Sequence, residues 1–455
     1  MRLPATLQRL SSTGDTHFIE IIHHTTGAML LLAGTTIIQF VFDLFLTHTF
    51  HAHGAGVFYL SFTVISILAL VGRLGMDQAV VRFIPPLLGK DTEAAAGVHQ
   101  TATLLSLAFT IPVAVLLFVF APQIADHVFH SPILTTYLRI FAFGMPALAL
   151  NYLFSGTLRA LKHTRSALSI ERFTMYALGI LSIVTLGHFD GLRGTAIGFT
   201  IAIYLSTLEG AWYIKRYFPA HGRPLPFNVK RMLIVSGPLL FVIFATQLNG
   251  QASVLLLGAF GSNREVAIFN IALKVSMLLN LVLVAINTIA GTKISELYAA
   301  GQHRELATTI SKISALGVVL GLPGLVILTV FSGFWLGLFG GSFQAGSAAL
   351  IILTFGQFIN VASGSTNYIL AMTGHERALA TAVGISLLVN IGVGIGLIPQ
   401  LGVTGASIAT AATLLVTNAI MVVMIKHYLN MWALPFSQLG VWLSKLMPEK
   451  ERTHA

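Results

Sequence analysis

"GAGVFYLSFTVISILALVGRLGMDQAVVRFIPPLL", residues 54–88, decides the class of this chain. From Gly54 to Gly72 it is an apolar run, and then Arg73, Asp77 and Arg82 arrive within ten positions. A helix needs roughly 20 apolar residues to cross a hydrocarbon core of about 30 Å. The first part therefore reads as a membrane crossing and the charged part as its exit into water. The rest of the chain has the same character: 55% hydrophobic, only 9% charged, with a mean hydropathy of +0.83. A soluble domain carries about 25% charged residues. The 455 residues are thus counted in membrane crossings rather than in soluble domains.

Backbone in lipid must satisfy its own hydrogen bonds, and these runs are too long and too unalternating for barrel strands, so helices are expected. Twelve runs are predicted to span: 27–47, 57–76, 102–121, 134–158, 168–187, 194–214, 232–258, 266–290, 313–332, 348–372, 378–399 and 405–425. The polar N-terminal 25 residues and an apolar run about 20 long do not fit a signal peptide, whose apolar core is roughly 7–15 residues. The first run is expected to stay in the membrane.

Basic residues predict the orientation. Segments 73–90, 159–172, 215–231, 293–312 and position 377, with both termini, hold 22 of the 26 Lys and Arg. The alternate loops and helix ends hold only Arg139, Arg193 and Arg264, and Lys274 lies inside a span. This asymmetry is what positive-inside sorting produces, which places both termini in the cytoplasm of an inner-membrane protein. The net charge of +10 is then a loop property rather than a nucleic-acid footprint. Cysteine is absent, so thiol chemistry is excluded. In the tail, Leu439, Trp442, Leu443 and Leu446 fall on one helical face beside Lys445. That pattern suits either a short interfacial helix or a partly disordered end.

The chain also lies over itself at an offset of 211 residues. Pro112 meets Pro323, Arg82 meets Lys293, "GLRGTAIG" from Gly191 meets "GVTGASIA" from Gly402, and Lys215 meets Lys426. Six spans per repeat is an even number, so both halves enter the membrane from the same side. The expected fold is all-α and membrane-embedded, with two six-helix bundles related by a pseudo-two-fold axis along the membrane normal. Their bounds are predicted as 1–220 and 221–426, followed by a cytoplasmic interfacial tail at 427–455. Two similar bundles around a cleft suit alternating access.

The Gly-aromatic entry and Gly-Met-Asp-x-Ala-x-x-Arg-Phe exit of residues 54–88 resemble the second helix of polysaccharide-transport flippases. "FSGTLRALKHTRSALSIE" (154–171) and "NYILAMTGHERALA" (367–380) resemble hairpins of that same family. The resemblance implies the multidrug/oligosaccharidyl-lipid/polysaccharide exporter fold. It also implies flipping of polyprenyl-pyrophosphate-linked sugar units for surface polysaccharide. The implied partners are that lipid-linked glycan, membrane lipids and glycan polymerase or ligase machinery, with the flippase itself a monomer. No cofactor is implied, and a coupling proton or sodium ion is left open. The first span carries Asp43 and no Lys or Arg, unlike the basic first helix and fourteen-helix plan typical of lipid II flippases. An acidic residue there is similar to the cation-coupled multidrug antiporter branch, which stays as the alternative.

Ionisable groups within spans are the first functional candidates, since each costs at least about 2.5–3.5 kcal/mol at mid-bilayer. Lys274, with Asn270 one turn away, would hold a pyrophosphate as a point charge; otherwise it snorkels or pairs with a structural carboxylate. Asp43 and Arg139 are expected at similar depth, where they would pair across the first and fourth spans. Asp43 is the candidate ion-coupling group and Arg139 its partner or a phosphate ligand. Glu209 is a second candidate carboxylate, although its place near a span end suits an interfacial residue. Gln357, Asn360, Gly364 and Asn367 share a face, as do Ser236, Gln247 and Gln251, with Pro238 and Gly250 able to loosen that helix. Such amides either bond sugar hydroxyls or pack helices together. Arg73 and Arg82 either gather a headgroup at the inner vestibule or simply mark the inner side. His48, His51 and His53 lack a metal-binding spacing. The outer loops are too short to present acid/base residues, and no G-x-x-x-x-G-K-[ST] occurs. A membrane glycan enzyme and an ATP-driven pump are both disfavoured.

Overall fold

The computed structural model describes residues 16–218 and 227–432, with the backbone alone at 16–33 and at 235, 238, 239, 288, 289, 291 and 292. The tail pattern at 439–446, the predicted boundary at 220/221 and the Pro238 side chain lie outside the described residues. Among those described, every regular element is helical.

In chain order these are α1 (Thr16–Gly72), α2 (Met76–Phe83), α3 (Thr92–Gln123), α4 (Leu134–Ala160) and α5 (Thr164–Val184). Next come α6 (Leu186–Tyr217), α7 (Val229–Phe260) and α8 (Asn263–Ser276), which a tight turn at Met277–Leu279 carries into α9 (Asn280–Ala299). The chain closes with α10 (His303–Val330), α11 (Ser332–Gly337), α12 (Ser347–Ala362), α13 (Thr366–Met372) and α14 (Glu376–Leu429).

Among the described residues, ten stretches are long and apolar enough to cross a membrane. Two are of double length, and each breaks once. α1 runs for 57 residues and breaks at His51 (φ 52°, ψ −173°); α14 runs for 54 and breaks at Gly402 (φ 52°, ψ −124°). Each break divides its helix into two limbs.

The second break explains part of the internal sequence match. Gly191 (φ 56°, ψ −141°) stands 211 residues before Gly402 and interrupts α6 in the same way. Glycine takes this backbone region at little cost, whereas a side chain is strained there, as at His51. Three residues on, Gly194 and Gly405 let the returning helix approach its predecessor. A Cβ there would stand 2.1 Å from the Leu186 carbonyl oxygen and 2.5 Å from that of Leu397, another 211-residue pair. The glycines of "GLRG" and "GVTG" are thus the backbone requirements of two equivalent helical hairpins.

Packing shows how the halves meet. Near the end of the molecule that carries His51, one apolar core draws on both halves, from Phe42, Phe58, Phe141 and Phe199 to Phe269, Phe339 and Leu350. Toward the opposite, basic end the core divides. One cluster, around Met76, Leu153 and Ile170, belongs to the first half except for Met232 and its neighbour Phe227. The other, around Ile294, Ile310 and Ile369, belongs wholly to the second half. The halves are therefore broadly fused at one end and only bridged at the other.

Candidate functional site

Between the halves lies a polar cavity of about 450 Å³. The first half lines it with Gln39, Thr63 and Ser66 of α1, Arg73 in the following turn, Tyr152 of α4, and Glu171, Arg172 and Tyr176 of α5. The second half contributes Gln247 and Gln251 of α7, and Asn270 and Lys274 of α8. Thr63 and Lys274 are repeat equivalents and face one cavity; the Thr63 hydroxyl lies 3.5 Å from Gln251 Oε1.

One buried charge cluster forms the wall. Lys274 Nζ donates to both oxygens of Asp43, at 2.7 and 2.9 Å, across the junction of the halves. Tyr59 donates its hydroxyl to Asp43 Oδ1 at 2.8 Å, and Lys274 Nζ sits 4.5 Å from the centre of the Tyr59 ring. The break in α1 creates this arrangement. Asp43 and Tyr59 lie eight residues either side of His51, so folding α1 back on itself brings them to one level. Asp43 is only 1% exposed, whereas the Lys274 side chain keeps 24% of its surface open. A carboxylate this deep needs its partner, because an unpaired charge in the interior costs several kcal/mol.

A second charged group lies on α5. There the helix widens into a π turn at Ser169–Phe173, a feature frequent at functional sites. Side chains from three sides hold that turn. Asn151 (3.2 Å) and Ser206 donate to the Ile170 carbonyl, Ser169 donates to Glu209 at 3.1 Å, and Ser155 donates to Glu171 at 2.8 Å. Arg159 also pairs with Glu171. Arg73 is buried, pairs with Asp77 at 3.1 Å and covers the Tyr152 ring at 4.5 Å.

The structure thus brings together Lys274, Asp43, Asn270, Gln251 and Arg73 from the sequence candidates, and separates the others. The expected Asp43–Arg139 pair does not form. Asp43 is taken by Lys274, while Arg139 is exposed, stacked 5.2 Å from the Phe118 ring centre with its Nε 3.4 Å from the Phe118 carbonyl. Gln357 and Asn360 do not line the cavity; they bridge helices of the second half. Asn280 donates to Gln357 at 2.8 Å, Asn360 to Asn280 at 3.1 Å, and Asn418 to Asn360 at 3.0 Å. Amides in an apolar bundle can satisfy one another, and these two do so here. Arg82 is exposed on α2 and also lies outside the cavity lining. Glu209 stands behind the cavity as the acceptor for Ser169. Sequence reasoning does not single out Tyr59, Tyr152, Tyr176, Glu171 or Arg172. For Arg172 a signal exists: it falls inside the predicted span 168–187, and counting it among the loop cations hides it.

Among the described residues, no three His, Asp or Glu side chains gather as metal ligands.

Comparison with known proteins gives concordant results. The family model described as polysaccharide biosynthesis protein matches residues 24–291, and the MatE model matches residues 238–395. An uncharacterized membrane protein of Methanocaldococcus jannaschii, MJ1068, is 23% identical over 78% of this chain and 74% of its own length. The probable low-salt glycan biosynthesis flippase Agl15 of Haloferax volcanii is 23% identical, covering 89% of this chain and 83% of its own. Among solved structures, the lipid II flippase MurJ in an inward closed conformation superposes with a TM-score of 0.74 at 16% identity, covering 93% of this chain and 94% of that one. At that identity the likeness concerns the fold alone, an assembly of membrane-length helices.

Proposed function

We propose that this chain, which belongs to the polysaccharide biosynthesis protein family, is a flippase that carries polyprenyl-pyrophosphate-linked oligosaccharide across the cytoplasmic membrane for surface glycan assembly. The observation that carries the reading is the charged, amide-lined cavity between the two halves of a membrane-spanning helical chain. The relationship to a probable glycan biosynthesis flippase supports the substrate class. The two halves act as six-helix bundles about an axis along the membrane normal, a symmetry supported by the paired breaks at Gly191 and Gly402. Headgroup and sugars pass through the cleft, while the polyprenyl tail stays in lipid. At about 450 Å³ the cavity suits a headgroup, and a longer sugar chain requires the cleft to widen in another state.

In this reading Asp43 is the coupling carboxylate. A proton taken up by Asp43 releases Lys274 from its ion pair, and the freed ammonium faces the diphosphate. The MatE match over residues 238–395 favours a second reading, a cation-coupled multidrug antiporter using the same carboxylate. Deleting the gene and measuring polyprenyl-linked glycans by mass spectrometry separates the two. Accumulated lipid-linked repeat units are expected. Unchanged glycans with increased sensitivity to cationic drugs would decide for the antiporter.

The orientation has its own test, which the absence of cysteine makes simple. His51, Gly341, His163 and His303 are all exposed, so a single cysteine at any of them meets water. In intact cells an impermeant thiol reagent is expected to label His51→Cys and Gly341→Cys, and to spare His163→Cys and His303→Cys. Labelling of His163→Cys from outside would reverse the assigned sidedness.

A further inference from the structure

The cavity's cations are not equivalent. Lys274 is neutralised by Asp43, and Arg73 by Asp77. Glu171, the acidic residue on the cavity wall, is already engaged by Arg159 and Ser155 from behind. That leaves Arg172. It is half-buried, it lines the cavity, and among the described residues it has no carboxylate within ion-pair distance. A guanidinium on the wall of a transmembrane cavity, with no carboxylate competing for its donors, is free to take an anion that enters.

We infer that Arg172 is the primary ligand for a phosphate or diphosphate group entering the cavity, docked on the first-half wall before Lys274 is released. Its backbone is prepared for this task. The π turn that presents it is fixed by Asn151, Ser206 and Ser169, so little backbone ordering is needed on binding. A guanidinium offers a planar fork that meets two phosphate oxygens at once, which an ammonium does not. Tyr152 and Tyr176 line the same cavity and add hydroxyl donors beside it. The inference rests on the flippase reading for the source of the anion and on geometry alone for the site.

The test uses the full-length protein in detergent, with inorganic pyrophosphate as the probe and calorimetric titration as the readout. Arg172→Gln is expected to weaken pyrophosphate binding about tenfold or more, the scale of one lost charge-assisted contact. Arg172→Lys is expected to recover part of that loss. Arg82→Gln, which removes an exposed arginine, should bind as the unaltered protein does. Farnesyl pyrophosphate binding more tightly than inorganic pyrophosphate would identify a lipid headgroup as the source, and equal binding a free anion. Melting curves without ligand establish that Arg172→Gln is folded; should it not fold, Arg172→Lys and its incomplete binding carry the test. Pyrophosphate binding that is undiminished in the folded variant, or absent from the unaltered protein, would overturn the inference. If that failure accompanies lipid-linked glycan accumulation in the deletion strain, the flippase reading survives and the Arg172 site does not. Arg172-dependent binding with unchanged glycans would keep the site and overturn the flippase reading.

Discussion

Replacing Lys274 with Gln is expected to destabilise the protein by about 3–5 kcal/mol, the usual cost of leaving one member of a buried ion pair alone. The asymmetry of the pair predicts more than a simple loss. Asp43 is almost wholly enclosed, so without Lys274 its carboxylate keeps, among the described residues, only the Tyr59 hydroxyl. Lys274 retains about a quarter of its side-chain surface and opens on the cavity, so Asp43→Asn leaves it an ammonium that water still reaches. Asp43→Asn should therefore cost clearly less than Lys274→Gln. The double variant should regain most of the stability lost by Lys274→Gln alone, because no charge then remains buried without a partner. Unfolding midpoints of the four proteins in one detergent form the cycle that measures the coupling. Lys274→Gln melting with the unaltered protein would mean that the pair contributes nothing to the fold. Surface glycan, measured at matched membrane-protein level, then separates structure from transport. The stable double variant is expected to lose most flipping, whereas Lys274→Arg keeps the charge and much of the activity.

The pair also marks what the sequence can disclose. The membrane class, the helical spans and the matched glycine turns follow from hydropathy and local backbone demands, which are written in consecutive residues. Lys274 and Asp43 are each recognisable as costly charges inside spans, and so as residues needing a partner. Which partner each takes is a property of the fold. Depth alone matches Asp43 with Arg139, but the break at His51 turns Asp43 toward α8, while Arg139 points outward onto Phe118. Helical periodicity likewise puts Gln357 and Asn360 on one stripe without revealing that Asn280 and Asn418 engage that stripe. Arg172 is obscured by its neighbours. Charges at 159, 162, 165 and 171 make it look like one more loop cation. Only the π turn and the spent carboxylates set it apart.

Replacing Gly56 with Ala is expected to prevent closure of the end of the molecule that carries His51, and with it to reduce transport at least about tenfold. Gly56 of α1 lies against the first residue of α8. An added Cβ would stand 1.6 Å from the Asn263 carbonyl oxygen and 2.5 Å from its carbon. The struck atoms are backbone, so no rotamer change relieves the overlap. Asn263 is itself tied down, donating to Ser131 at 2.9 Å, and Gly258 of α7 also packs closely, where an added Cβ would stand 2.6 Å from a Leu60 methyl. The only relief is to move the halves apart at this end. Overpacking costs typically ~1–3 kcal/mol and occasionally more, and ~3 kcal/mol would shift a two-state population by roughly two orders of magnitude. The penalty falls on the closed state alone, because the halves do not touch here once they separate. The protein should therefore remain folded yet dwell with this end open. A single cysteine at Gln39, which lines the cavity, reports the shift. Gln39→Cys should react with an impermeant maleimide from the His51 side several-fold faster when Gly56→Ala is present. Equal labelling rates together with normal surface glycan would show that this contact does not gate the cleft, and closure would then have to rest on the Phe40–Phe339 contact and the His48 bond to the Leu338 carbonyl.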